Sequence, residues 1–136
     1  MKMKKAVELL RREKQVKLAY LFGSAARGDA GKLSDIDIGV YLDDSLSEEQ
    51  RFKLQLELVS KLASALKTDK VDLIVMNDAP LLLNYNIIRG GKPLKSEKQA
   101  KVKFEAAVLS KYLDRKPSID RHTSLRLARI AEKGFS

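Results

Sequence analysis

The 136-residue chain has no cysteine and no tryptophan, a single histidine and only three prolines. Without cysteine there is no disulfide framework, no thiol nucleophile and no zinc–thiolate site. One histidine, His122, excludes a multi-histidine metal centre. No apolar run approaches the roughly 20 residues of a membrane span. The start, Met1-Lys2-Met3-Lys4-Lys5, is charged but lacks the apolar stretch that makes a signal peptide. These absences lead to the expectation of a soluble, cytoplasmic protein, and its length fits one domain.

Charge is abundant: 33% of residues are charged, with a formal net charge of +9. It is unevenly placed, because an acidic middle (residues 18–88) lies between two basic ends. A basic surface attracts nucleic acid, nucleotide phosphates or an acidic protein. These lysines are spread through helical patterns, as on solvated helix faces. No recognition-helix motif accompanies them, so nucleic acid is not the expected partner.

Periodicity gives the element order. Val7 and Leu10, with Met3, recur at helical spacing over residues 3–14. Residues 16–22 alternate as a strand, and so do residues 35–42, with Ile36, Ile38 and Val40 on one face. Ser47 followed by Gln50 has the spacing of a capping box and opens a helix running to about Leu66. Its apolar stripe reads as Phe52, Leu56, Val59, Leu62 and Leu66. A third strand spans 71–76. Pro80 suits the first position of a short helix over 81–89, closed by Gly90-Gly91. Pro93-Leu94-Lys95 fits an edge strand, and helices over 96–112 and 121–133 follow, separated at Pro117. The expected class is α/β (α+β): a small mixed sheet flanked by helices. The expected domain covers 1–116, with 117–136 as a basic helix or tail suited to partner binding.

The chemistry concentrates in Gly23-Ser24, ten intervening residues, then Asp35-Ile36-Asp37. On a strand, Asp35 and Asp37 point to the same face. Two adjacent carboxylates repel, and a divalent cation is the natural compensation. Asp72 interrupts the apolar run Val71-Asp72-Leu73-Ile74-Val75. If that strand lies beside the Asp35–Asp37 strand, three carboxylates converge as a platform for two metal ions. Gly23 at a strand end lets phosphate approach the backbone, Ser24 adds a hydroxyl donor, and Arg27 can pair with a phosphate or a carboxylate. Each piece alone is commonplace: an ordinary turn, a solvated strand edge, a surface arginine. Their combined spacing is not. His122 reads as an exposed helix residue, and Tyr20, Tyr41, Tyr85 and Tyr112 as packing residues.

With Ala26-Arg27-Gly28 inside it and Asp72 following, this pattern resembles the minimal nucleotidyltransferases of the DNA polymerase β superfamily, over about residues 16–95. The run from Val71 to Pro80 and the ending Ile87-Ile88-Arg89-Gly90-Gly91-Lys92-Pro93-Leu94 resemble the MntA-type antitoxin branch. The resemblance implies a nucleotidyltransferase fold, Mg²⁺ (two ions) and ATP. It also implies a HEPN-domain ribonuclease toxin as partner, silenced by transfer of AMP to one of its tyrosines. Gly23 and Ser24 would then hold the triphosphate, Asp35 and Asp37 the metals, and Asp72 would complete the metal site and help deprotonate the acceptor. Two alternatives remain at this point: nucleotidyl transfer to a small molecule, and a non-catalytic antitoxin that acts by binding.

Overall fold

The computed structural model describes residues 3–23 and 35–133, with side chains as far as Arg115. In chain order the elements are α1 (Met3–Arg12), β1 (Val16–Phe22), β2 (Ile36–Leu42), α2 (Glu48–Leu66), β3 (Val71–Val75), α3 (Leu81–Gly90), β4 (Lys92–Ser96) and α4 (Lys98–Lys133). The four strands form one mixed sheet in the order β3-β2-β1-β4. β1 runs antiparallel to both β2 and β4, and β2 runs parallel to β3. The parallel pair needs a crossover, which α2 supplies.

The sheet is covered on both faces, so its strands have two apolar sides. Ile36, Ile38, Val40 and Leu42 of β2 pack with Ala19 and Leu21 of β1 against Ala6 and Leu10 of α1 and Leu58, Leu62 and Leu66 of α2. On the other face Leu18, Tyr20 and Phe22 of β1 meet Met76 and Ile87, backed by Phe104 of α4. An irregularity in the β1–β2 pairing between Val16 and Leu18 shifts the alternation, so Val16 joins the first face although Leu18 faces the second. Central β1 is therefore buried almost throughout, which its single lysine, Lys17, only partly conceals in the sequence.

Several expectations from the sequence are borne out. The capping box is formed: Ser47 Oγ accepts from the Gln50 backbone N–H at 3.1 Å, and Gln50 Oε1 accepts from the Ser47 N–H at 2.8 Å. β4 is the edge strand, where Pro93 costs no ladder bond on its open side.

Three details differ. The inward stripe of α2 is the i+4 row Leu58, Leu62, Leu66, with Leu54 and Val59 half-buried. Phe52 and Leu56 point outward, 59% and 56% exposed. α2 carries apolar residues on more than one side, so two stripes were available, and packing against α1 and the sheet selects one. Gly91 does not close α3 in a left-handed conformation, since its φ is −80°. It is needed because a Cβ there would stand 2.5 Å from the Ile87 carbonyl oxygen. Finally, α4 is a single helix that passes Pro117, where the sequence suggests a break. A proline inside a helix removes one backbone bond and usually bends it, and here the helical path continues beyond that loss.

Candidate active site

The carboxylates gather at one end of the sheet, on the face that carries α3 and α4. β1 ends at Phe22, which pairs with Asp37 across the antiparallel ladder. On its other side Asp37 pairs directly with Asp72 in the parallel β2–β3 ladder. Asp35 immediately precedes β2, whose entry is fixed by the Ile36 N–H donating to the Lys70 carbonyl at 2.8 Å. Ile36 and Ile38 anchor β2 on the opposite face, so the alternation of the strand forces Asp37 toward Asp72. Asp37 and Asp72 are thus neighbours on adjacent strands, and Asp35 lies near enough for its charge to act on Asp37.

The electrostatics agree. Burial raises the Asp37 pKa above the usual carboxylate value, and the charges of Asp72 and Asp35 raise it further. The ion pairs of Lys17 with Asp43 and Glu97, and of Arg51 with Asp78, lie away from the three aspartates. Asp37 is half-buried, while Asp35 and Asp72 are exposed.

Gly23 completes this edge. It has φ +74°, a conformation that side chains rarely adopt. A Cβ on it would collide with the Asp37 carboxylate. Gly23 therefore leaves room for the Asp37 carboxylate. The spacing of the motif locates this glycine but does not reveal the contact, which depends on the β1–β2 register. Gly39, passed over in the sequence, plays a related part. A Cβ there would press on Met76 Sδ at 3.2 Å and Ile87 Cδ1 at 3.4 Å. Its absence lets those two side chains seat against β2, next along from Asp37 on the same face. Ser24 and Arg27 lie outside the described residues, as does the side chain of His122. Tyr85 stacks on Tyr112 with ring centroids 3.8 Å apart, tying α3 to α4 as the packing reading expects.

The carboxylates of Asp35, Asp37 and Asp72 offer hard oxygen donors, which fit a divalent metal such as Mg²⁺. Among the described residues no three acidic or imidazole side chains form a ready-made metal cage. The platform is open, which suits an ion that keeps waters and shares ligands with substrate phosphates.

Comparison with known proteins agrees with this geometry. The family model "Polymerase beta, Nucleotidyltransferase" matches residues 4–100. The protein adenylyltransferase MntA of Shewanella oneidensis is 38% identical over 109 residues, which span 79% of this chain and 75% of that protein. A solved toxin–antitoxin structure with AMP-PNP superposes with a TM-score of 0.69 at 33% identity, covering 89% of this chain and 98% of that one. A chain in a structure of the tri-AMPylated Shewanella oneidensis HEPN toxin in complex with MNT antitoxin gives a TM-score of 0.60 at 29% identity, covering 89% of this chain and 98% of that one. Among the described residues no helix is long and apolar enough to cross a membrane. On the sheet order, the aspartate triad beside Gly23 and the extent of these matches, the chain belongs to the polymerase β nucleotidyltransferase family.

Proposed function

We propose that this chain is a protein adenylyltransferase of the antitoxin kind, which transfers AMP from ATP to a tyrosine of a HEPN-family toxin in the cytoplasm. The observation that carries the reading is the register Phe22–Asp37–Asp72, which masses carboxylates beside Gly23 where no structural need calls for them. The relatives supply the chemistry: a protein adenylyltransferase, a structure with an ATP analogue and an AMPylated toxin in complex.

In this reading Gly23, with Ser24 and Arg27, cradles the triphosphate. Asp35 and Asp37 hold the metal on the β2 face, and Asp72 closes the set from β3. Bound Mg²⁺ supplies charge neutralisation for the phosphates and for the departing pyrophosphate. The acceptor hydroxyl approaches the α-phosphorus beside Asp72, which takes its proton. The new O–Pα bond forms as the bond from Pα to the bridging oxygen of pyrophosphate breaks, and AMP remains on the acceptor. Occlusion without catalysis is the weaker reading, because a binding-only module has no use for neighbouring carboxylates whose charges oppose one another.

The test is incubation of chain, toxin, ATP and Mg²⁺ followed by intact-mass measurement. The expected result is a gain of whole AMP units on the toxin, lost on chelation and in Asp35→Asn. A tight complex with no mass gain would replace this reading with occlusion.

A further inference from the structure

The first half of α4 has an outward face that nothing described covers. Val102, Leu109 and Leu113 are large apolar residues with 65%, 48% and 57% of their surface exposed, and Ala106 between them is exposed too. Their spacing of four, three and four residues keeps them on one narrow stripe about 16 Å long. The inward side of the same helix is already used: Phe104 and Val108 are buried or half-buried, and Glu105 accepts from the Tyr20 hydroxyl at 2.6 Å. Scattered exposed apolar residues are ordinary, but a continuous coiled-coil-like seam opposite the buried face marks an interaction surface.

Charge selects the occupant. Around the N-terminal part of the stripe stand Lys98, Lys101 and Lys103, all exposed and with no ion pair among the described residues. Glu105 is turned inward to Tyr20, so it does not offset them. A second copy of this chain would bring a second set of lysines to the same seam and be repelled. An amphipathic helix with acidic flanks would be drawn in. The surface is also placed to leave the reaction open. α4 follows β4, whose Ser96 pairs with Leu18, at the end of the sheet away from Gly23 and the aspartates.

We propose that the stripe Val102–Ala106–Leu109–Leu113, rimmed by Lys98, Lys101 and Lys103, docks an acidic amphipathic helix of the protein that receives AMP. The identity of the partner rests on the adenylyltransferase reading, but the docking itself is measured without it. The complex of the full chain with a HEPN-family toxin partner is titrated by calorimetry, for wild type, for Val102→Asp/Leu109→Asp and for Lys98→Glu/Lys101→Glu/Lys103→Glu. All five positions are exposed, so folding is expected to survive, and circular dichroism checks it. Each variant should weaken the complex roughly tenfold or more, and the lysine variant should also flatten its salt dependence. In the transfer reaction both should raise KM for the toxin and leave kcat at saturating toxin unchanged. If wild type binds but transfers nothing, the chemical reading fails and the affinities still decide the docking. An unchanged affinity in both variants, or no wild-type complex, overturns the proposal. So does a free chain that sediments as a dimer and is made monomeric by Val102→Asp/Leu109→Asp, since that assigns the seam to a second copy.

Discussion

The two ends of the sheet follow opposite rules. At the end opposite the aspartates polar side chains are tied to definite partners. Asn77 closes a two-bond clamp on Leu42, accepting from its N–H at 2.8 Å and donating to its carbonyl at 2.9 Å. Arg51 holds Asp78 through two bonds, at 3.0 and 2.7 Å, and donates to the Leu46 carbonyl at 2.9 Å. The Tyr41 hydroxyl donates to Asp44, and burial with that bond pushes its pKa up to about 12. The exception among the described residues is Asn84, whose buried Oδ1 has no partner. At the Gly23 end the sheet instead assembles like charges on Asp35, Asp37 and Asp72 and holds a residue at positive φ beside them. One end is built for stability, and the other keeps like charges together at a cost to stability.

The sharpest break in that contrast is Asp37→Asn. It should lower AMP transfer by about 10³-fold or more, because in the proposed mechanism Asp37 helps hold the metal. Intact-mass time courses measure it. Next comes Gly23→Ala, which forces a side chain into a left-handed conformation and against Asp37. A loss of roughly 1–3 kcal/mol is expected, read by urea denaturation, together with most of the activity. Asn77→Ala works at the other end. It removes both bonds to Leu42 and should cost about 1–3 kcal/mol, with transfer below the melting range unchanged. The smallest effect belongs to Phe52→Ser, within about 0.5 kcal/mol, since its side chain is exposed. A larger loss would restore the α2 stripe read from the sequence.

What the sequence made legible follows the same division. The aspartates stood out because a charge inside an apolar strand pattern has no packing reason to be there, and strand alternation alone put Asp35 and Asp37 on one face. The direct pairing of Asp37 with Asp72 needed the parallel β2–β3 register, which depends on contacts distant in sequence. The Asn77 clamp was hidden for that reason too: in Asn77-Asp78-Ala79-Pro80 an asparagine reads as a turn residue, and its hold on Leu42 spans 35 positions. On α2, several apolar residues beyond the minimum left the choice of face to packing. At Gly23 the motif was visible, but its steric role awaited the neighbour that β1–β2 pairing supplies.

The central claim is that Asp35, Asp37 and Asp72 are held together against their repulsion for the sake of a bound cation. A carboxyl whose folded pKa is raised contributes stability below its unfolded pKa and loses it as pH rises through the folded value. Ionised Asp37 therefore burdens the fold at neutral pH, and a neutral amide should relieve it. The deciding measurement is thermal unfolding of wild type and Asp37→Asn at pH 7.5, with and without Mg²⁺ and a non-hydrolysable ATP analogue. The variant should melt about 2–4 °C above wild type without ligand, and ligand should raise the wild type far more than the variant. A variant that melts lower than wild type, or gains as much from Mg²⁺ and nucleotide, would contradict the account.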